Sequence, residues 1–329
     1  MSIRVLHSGL LTTIQDVGRY GSQKYGVIVS GAMDSYSLRL ANLLVGNQEN
    51  EAALEITLFG TTLQFDEDTL LAITGGDFLT TIDGLKAQLW RPILIKKNSI
   101  LKFHSAIKGS RAYVAFAGGI DIPEIMGSKS TYMRANIGGF KGRALKKGDI
   151  LSTLDVGEIG NKLIQRLKKE DATWSVDFNN LISFDDNQLI RVLKGTEFNR
   201  FDRKSQINFF EKPYTITVQS DRMGYRLDGT PLSLSENFDL LSEGVTFGTV
   251  QIPSSGQPII LMADRQTTGG YPKIAQVITA DLPSLAQLQP TSTIRFKEVT
   301  LAEAENAIYT NEQSIKNIKN AIHYKIFSN

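Results

Sequence analysis

Short apolar runs separated by glycine-rich turns are the feature that most constrains the fold of this chain. Within 214–219, Tyr214, Ile216 and Val218 alternate with polar residues, and 293–297 repeats this period of two. Such alternation places apolar side chains on one face of a half-buried strand. Many short strands with turn signals between them predict a mainly β fold, a barrel or a sandwich, with few helices. Further strand candidates are 62–65, 70–74, 101–103, 111–117, 189–193 and 258–263.

Two segments have the pattern of a helix. Residues 35–45 place apolar side chains on one face, and Asp34 or Ser35 can serve as the N-cap. Near the carboxyl end, Thr300 and Glu303 have the spacing of a capping box, and an apolar stripe follows them. We expect this terminal helix to cover a sheet or a partner without taking part in chemistry.

The composition excludes several classes of function. The chain has 329 residues, of which 41% are hydrophobic and 21% charged, so it can bury a sizeable core and its length favours two domains. A net charge of +2 gives no electrostatic argument for binding nucleic acid or a membrane. The sequence has no cysteine and only three histidines, which are far apart, so we expect no disulfide, no metal site and no histidine-based triad. No apolar run approaches the ~18 residues of a membrane span, and we expect a cytoplasmic protein.

A charged segment at 157–187 separates the two β-rich parts of the sequence. Its basic amphipathic stretch at 162–169 is interpreted as a solvated face. The sequence therefore predicts an N-terminal β lobe over 1–156, a connector over 157–187, and a C-terminal β lobe over 188–329 that ends in a helix.

The segment after the predicted strand at 258–261 has the composition of a binding loop. Glycines allow positive φ and leave backbone N–H groups accessible to a ligand, while threonine hydroxyls both donate and accept hydrogen bonds. An acid and a base at the two ends add opposite charges. We predict a binding loop here, with a strand end and a tight turn as the alternative. Its residues of interest are Asp264, Thr267, Thr268, Gly269, Gly270 and Lys273.

A second glycine pair, Gly75 and Gly76, follows the predicted strand at 70–74 and precedes Asp77. The same reasoning predicts a binding loop, in which Asp77 could orient an amine or lactam N–H or accept a proton. The alternative for Asp77 is an Asx-turn. Arg134 lies in a glycine-bounded polar segment, where it could bind a carboxylate or phosphate through two hydrogen bonds or form a salt bridge.

The remaining candidates are charged residues close to glycine. Glu243 precedes Gly244 and is a candidate acid or base, with a plain surface carboxylate as the alternative. The candidate catalytic residues are thus Asp77, Glu243 and Asp264, and the others, except Lys273, are candidates for binding substrate or nucleotide. The last group could equally form ion pairs or a helix cap. It consists of Asp16 with Arg19, Asp221 with Arg222, and Asp34.

Several familiar cofactor motifs are absent from the sequence. It has no Gly-Lys dipeptide for a Walker A loop, no Gly-x-Gly for a dinucleotide fingerprint, no biotin-attachment site and no Gly-x-Ser-x-Gly elbow. Acids, arginines, hydroxyls and exposed backbone N–H groups remain. Such groups act by orienting a substrate and by stabilising a developing oxyanion.

These motifs, in this order, resemble the allophanate hydrolase subunit 2 family, whose members are biotin-dependent carboxyltransferase-like proteins. The family includes the C subunit of bacterial ATP-dependent 5-oxoprolinase, a protein that antagonises a sporulation-kinase inhibitor, and half of the carboxyltransferase domain of urea carboxylase. The resemblance extends from Gly9 to about Phe296. Its motifs lie at 15–21, 30–34, 44–47, 53–55, 137–143, 220–226, 242–244, 262–278 and 280–282.

The resemblance implies two cyclophilin-like β-barrel lobes in tandem. It also implies a 5-oxoprolinase C subunit, which acts with separate A and B subunits to open the cyclic amide of 5-oxoproline to glutamate. The implied cofactor is ATP in the assembled complex, with Mg left open, and no biotin is attached to this chain. Two alternatives remain. One is a carboxyltransferase subunit that uses carboxybiotin on another chain and a urea-like substrate, and the other is a regulatory protein that binds a B-subunit-like kinase inhibitor.

Overall fold

The chain forms two compact units, which we describe separately. The computed structural model describes residues 2–179, 181–236 and 240–327. Unit 1 contains the described parts of Met1–Arg19, Ser30–Ser183 and Glu312–Asn329, and unit 2 contains those of Tyr20–Val29 and Phe184–Asn311. Both units are mainly β, as predicted.

Unit 1 is built from antiparallel strands. They are β1 (Ser2–Ser8), β2 (Leu11–Gln15), β3 (Ala53–Thr57), β4 (Thr61–Phe65), β5 (Thr69–Asp77), β6 (Thr81–Ile82), β7 (Leu85–Lys86), β8 (Pro92–Ile95), β9 (Ile100–Lys102), β10 (Lys108–Phe116) and β11 (Ile150–Ser152). They pair as a six-stranded sheet in the order β11-β1-β4-β9-β6-β7 and a five-stranded sheet in the order β2-β3-β10-β5-β8.

The centre of the five-stranded sheet is buried on both faces. Strands β5 and β10 consist almost entirely of buried residues, which explains the apolar runs at 70–73 and 112–116 within them. Their side chains join a core in which Phe65 and Phe116 lie with ring centroids 6.3 Å apart. Helix α1 (Ser35–Leu44) packs against both strands. Asp34 accepts a hydrogen bond from Ser37 N, so the predicted helix and its N-cap are confirmed.

Unit 2 contains a closed barrel. Its strands are β12 (Asn187–Lys194), β13 (Tyr214–Ile216), β14 (Gly224–Gly229), β16 (Thr249–Gln251), β17 (Ile259–Leu261), β19 (Lys273–Val277) and β20 (Thr293–Glu298), and a separate pair is formed by β15 (Glu243–Gly244) and β18 (Thr268–Gly269). The barrel order is β12-β19-β16-β17-β14-β13-β20. The pair β12–β20 is parallel, and the other barrel pairs are antiparallel.

The barrel core is aromatic. Phe209 stacks on Phe296 of β20 at a centroid distance of 4.4 Å, and Tyr214 lies 5.8 Å from Phe296. All three are buried, and burial of such a side chain contributes roughly 1.5–3 kcal/mol.

The remaining helices are α2 (Glu158–Leu167), α3 (Arg203–Glu211), α4 (Leu282–Gln287) and α5 (Leu301–Phe327). Short 3₁₀ helices lie at Gln23–Tyr25, Met133–Ala135, Phe198–Arg200 and Thr279–Asp281.

The terminal helix α5 begins with the predicted capping box. Thr300 N donates to Glu303 Oε2 at 2.7 Å, and Glu303 N donates to Thr300 Oγ1 at 3.2 Å. From Glu312 onward the helix belongs to unit 1, where Arg39 donates to the carboxylates of both Glu312 and Glu49. These hydrogen bonds raise the pKa of Arg39, that from Glu312 most strongly.

The segment predicted as a connector contains ordered structure. Helix α2 lies within it, buries Leu163 and pairs Lys162 with Glu158 at 2.8 Å. Farther along, Phe178 stacks on Trp90 with centroids 4.2 Å apart. Residues up to Ser183 therefore belong to unit 1. Among the described helices, none combines the length and apolar character that crossing a membrane requires.

Candidate functional site

The predicted binding loop in unit 2 lies between strands β17 and β19. Halfway along, Thr268 and Gly269 form strand β18 and pair with strand β15, so Glu243 lies opposite Gly269 and Gly244 opposite Thr268. This pairing brings the predicted acid Glu243 to the predicted binding loop, although the two are distant in sequence. Thr267 is half-buried, while Thr268 and Gly270 are exposed.

Asp264 forms a buried ion pair with Arg222. Arg222 Nε donates to Asp264 Oδ2 and Nη2 donates to Oδ1, both at 2.9 Å, and each residue is 5% exposed. A backbone hydrogen bond from Asp264 N to Arg222 O, at 2.8 Å, links the same two residues. Such a two-point pair fixes the orientation of both side chains. This geometry favours a role for Asp264 in holding the loop.

The carboxylate of Asp221 binds backbone N–H groups that follow it in the chain. Its Oδ1 atom accepts from Met223 N at 2.8 Å and from Gly224 N at 3.2 Å. This is the local turn geometry that aspartate commonly adopts. The sequence analysis left the partner of Arg222 open, and the structure places one partner, Asp264, at the end of another strand.

Lys273 lies between two carboxylates at the far end of the loop. Its Nζ atom forms a short ion pair with Glu243 Oε2 and is 3.7 Å from Glu197 Oε2. The side chains of Lys273 and Glu197 are each 11% exposed, whereas that of Glu243 is 53% exposed. Glu197 was not among the predicted residues, because nothing in its local sequence distinguishes it from a surface glutamate.

The loop glycines have backbone conformations that other residues can also adopt. Neither Gly269 nor Gly270 has positive φ. Gly269 is buried, and a Cβ atom there would lie 2.5 Å from Gln251 Nε2, so a larger residue would displace the end of the Gln251 side chain. A Cβ atom on Gly270 would meet only Ser242 Oγ at an ordinary 3.4 Å.

Arg265 is a further polar group of the loop that the sequence analysis missed. Its guanidinium lies over the ring of Phe247 at 5.9 Å, and burial lowers its pKa. Within the described part of the chain, its buried Nε atom has no hydrogen-bond partner. A buried N–H group without a partner is uncommon in proteins. The only feature of the sequence that could have identified Arg265 as a loop residue of interest was its position next to Asp264.

In unit 1, Asp16 and Arg19 bind the same segment. Asp16 accepts from Gly18 N at 2.8 Å, from Lys129 N at 2.6 Å and from the hydroxyls of Ser128 and Ser130. Arg19 donates to the carbonyl oxygens of Ile125, Ser128 and Ser130. Burial lowers the pKa of Arg19, which is fully buried. The two residues thus stabilise the loop that precedes Arg134. Asp16 binds N–H and hydroxyl donors of this loop, and Arg19 binds its carbonyl oxygens.

Gly75 and Gly76 do not form an open loop, and that prediction is wrong. Both are buried within strand β5, where the pairing with β10 shifts register. A Cβ atom on Gly75 would lie 2.4 Å from Arg111 O, and one on Gly76 would lie 2.5 Å from Lys108 O. A bulge with close backbone approach therefore explains the glycine pair. Asp77 Oδ1 accepts from Leu79 N at 3.0 Å, which is the Asx-turn alternative.

Arg134 lies at an exposed point of unit 1. It belongs to the 3₁₀ helix Met133–Ala135, and two backbone hydrogen bonds between Tyr132 and Ile137 close the loop around it. A Cβ atom on Gly138 would lie 2.0 Å from Ser130 O, so this glycine is needed where the loop packs on its base. Anion binding by Arg134 stays a prediction.

A buried polar network in unit 1 was also missed. The hydroxyl of Tyr113 donates to Glu55 Oε2 at 2.7 Å and accepts from Asp34 N at 2.8 Å. Met33 N donates to the same Glu55 oxygen at 2.8 Å. Burial raises the pKa of Tyr113 well above its ordinary value, with Glu55 as a smaller cause. An acid inside the apolar strand β3 was the signal that could have identified this network.

The described residues contain no group of three or more acidic or histidine side chains that could hold a metal ion.

A protein-family model described as "Carboxyltransferase domain, subdomain A and B" matches residues 25–298. The chain belongs to this carboxyltransferase-domain family. The resemblance to the allophanate hydrolase subunit 2 family is thereby confirmed.

Two relatives of this carboxyltransferase-domain chain are similar over nearly their whole length. The C subunit of 5-oxoprolinase from Haemophilus influenzae is 41% identical over 313 residues, which cover 95% of this chain and 96% of the relative. The protein of the same name from Escherichia coli is 40% identical over 305 residues, covering 93% and 94%.

A solved structure shares the fold. The crystal structure of the K. lactis urea amidolyase matches with a TM-score of 0.87 and 30% identity. The match covers 96% of this chain but 20% of that one, so this carboxyltransferase-domain chain spans about a fifth of urea amidolyase.

Proposed function

We propose that the chain is the C subunit of an ATP-dependent 5-oxoprolinase, which opens 5-oxoproline to glutamate together with B and A subunits. One observation gives this proposal its main support. The two bacterial 5-oxoprolinase C subunits align with this chain over at least 93% of the length of each aligned protein. No further domain of these relatives is left unmatched. The urea amidolyase match leaves four fifths of that protein uncovered.

The chemistry requires activation of a poor electrophile. Phosphorylation of the lactam oxygen by ATP creates a leaving group and makes the ring carbon a better target for water. The balanced reaction converts 5-oxoproline, ATP and two water molecules to glutamate, ADP and phosphate. Negative charge develops on carbonyl and phosphoryl oxygens along this path, and fixed N–H donors stabilise it.

The loop of unit 2 supplies suitable groups. Glu243 is the half-exposed carboxylate at the loop and would act as acid or base. Arg265 and the hydroxyls of Thr267 and Thr268 would donate to substrate oxygens. Asp264 would hold the loop in place through Arg222.

The partners follow from the same proposal. A B-subunit homologue and an A subunit would complete the site, since the sequence has no recognisable nucleotide-binding loop. ATP, with or without Mg, would act in the assembled complex, which we propose to be cytoplasmic. No biotin would be attached to this chain.

A second candidate is a carboxyltransferase subunit that uses carboxybiotin on a separate chain and a urea-like substrate. The family model and the TM-score of 0.87 to urea amidolyase favour it. An oxyanion pocket of the same kind would stabilise the ureido oxygen of biotin.

Reconstitution separates the two candidates. The purified chain is mixed with its B and A homologues, and glutamate and ADP are measured with 5-oxoproline or with urea as substrate. We expect 5-oxoproline to give both products, and omission of any one of the three proteins to abolish them. Carboxylation of urea in the presence of carboxybiotin, without any glutamate from 5-oxoproline, would favour the second candidate. Glutamate release by this chain alone would contradict the need for partners.

A further inference from the structure

The ammonium group of Lys273 has one inner and one outer carboxylate. The inner one, Glu197, is as buried as the lysine itself, and its Oε2 atom lies 3.7 Å from Nζ. The outer one, Glu243, pairs more closely with Nζ, although its side chain is 53% exposed. The cluster therefore places a half-exposed carboxylate beside a largely buried ammonium group.

The inner carboxylate is fixed by the backbone. Glu197 Oε2 also accepts from Lys273 N at 2.9 Å, and Glu197 N donates to Lys273 O at 3.3 Å. A Cβ atom on Gly195 would lie 2.1 Å from Lys273 O, so the chain on either side is closely packed. Glu197 cannot leave Lys273 without breaking these contacts.

The outer carboxylate, that of Glu243, is fixed by fewer contacts. Glu243 belongs to the two-residue strand β15, and in the described residues its one ion pair is with Lys273. A buried ammonium needs a counter-charge, because leaving it unpaired is costly. A half-exposed carboxylate, by contrast, regains water when it is released, so its pairing contributes little net stability. Exchange of Glu243 for a ligand carboxylate therefore costs little at the ion pair itself, and the main cost is the translational and rotational freedom that the ligand loses.

We propose that Lys273 binds the carboxylate of a small substrate, and that Glu243 occupies this site as a surrogate until the substrate displaces it. The inference deepens the proposed function and rests on it for the choice of 5-oxoproline, whose ring bears a carboxylate. Displacement frees Glu243 beside the β15–β18 pair, where it becomes available as an acid or base. Lys273 then discriminates against neutral lactams and urea, which cannot replace the missing negative charge.

Nuclear magnetic resonance of the ¹⁵N-labelled full chain tests this directly. Acetate, 5-oxoproline and 2-pyrrolidinone, which is the same lactam without the carboxylate, are titrated while the backbone amide resonances of Glu243, Gly269 and Lys273 are followed. We expect acetate and 5-oxoproline to shift these resonances and 2-pyrrolidinone to leave them unchanged. Glu243→Gln removes the competing charge and should lower the Kd for acetate by about tenfold.

Two further variants complete the experiment. Lys273→Gln should abolish acetate binding, and Lys273→Arg, which keeps the charge, should retain it. Glu298→Gln is the control, because the Glu298 side chain is about as exposed as that of Glu243 and pairs with the exposed Lys194 at 2.8 Å. This control should leave the Kd unchanged.

The outcomes distinguish this inference from the proposed function. Absence of acetate-dependent shifts in Glu243→Gln would overturn the inference, even if Lys273→Gln failed to fold. Equal acetate binding by Lys273→Gln and the wild-type chain would overturn it as well. Acetate binding at Lys273 without 5-oxoproline turnover by the assembled complex would support the inference and count against the proposed function.

Discussion

Arg222 and Asp264 join two loops of unit 2 through a buried pair of parallel hydrogen bonds, each 2.9 Å long. Their side chains are 5% and 7% exposed, so neither charge is well solvated on its own. The pair fixes the point at which strand β17 ends and the candidate binding loop begins. Its disruption should therefore affect both folding and the site.

We predict that Asp264→Ala lowers the free energy of unfolding by about 3–5 kcal/mol, because it removes a carboxylate that is paired with the buried Arg222 guanidinium. Arg222→Ala should have a similar effect, and the double variant should lose much less than the sum of the two. Urea denaturation of the four proteins measures this coupling. Additive losses would show that the two side chains act independently.

Thr268→Val should reduce turnover of the assembled complex by roughly tenfold, the scale of one lost polar contact in the transition state. Stability should change little, because Thr268 is exposed and lies on a two-residue strand. Steady-state kinetics and thermal denaturation are measured together. Thr62→Val, a similar change on strand β4 of unit 1, serves as the control. Normal turnover in Thr268→Val would remove this hydroxyl from the site.

Gly75→Ala should destabilise unit 1 strongly, because φ is +85° and the new Cβ atom would lie 2.4 Å from Arg111 O. Overpacking of this kind costs about 1–3 kcal/mol beyond the backbone strain. Gly84→Ala is the matched control, since φ there is +84° and no atom lies within 4 Å of the new Cβ. Urea denaturation should place Gly75→Ala well below Gly84→Ala, and equal losses would contradict the close approach of strand β10.

The two glycine pairs show why part of the site could not be predicted from sequence. Two adjacent glycines in a buried bulge and two in a binding loop have the same sequence, Gly-Gly. The two cases differ in the strand that each pair contacts, which is β10 for Gly75 and β15 for Gly269. Helix α1, helix α5 and their caps were predictable, because their signals lie within a few residues of one another. The partner of Arg222 was not, since Asp264 is distant in sequence and the fold alone brings the two together.

Acid should weaken unit 1 through Asp149. Hydrogen bonding from Arg143, at 2.7 and 2.8 Å, lowers the pKa of Asp149 below its ordinary value of 3.8. A lowered pKa stabilises the fold above the unfolded-state value, and this contribution is lost as the pH falls through the folded-state pKa. Asp149→Asn should therefore be less stable than the wild-type chain at neutral pH, and the difference should shrink below pH 3.8. Urea denaturation as a function of pH measures it, and a difference independent of pH would contradict this linkage.

Glutamate release by the reconstituted complex containing Glu243→Gln tests the central claim most directly. We expect kcat to fall by at least about 100-fold, the usual contribution of a general acid or base, while the complex still assembles. Glu298→Gln, which removes a similarly exposed glutamate from its ion pair with Lys194, should turn over 5-oxoproline normally. A kcat within about twofold of wild type for Glu243→Gln would contradict the assignment of the unit 2 loop as the functional site.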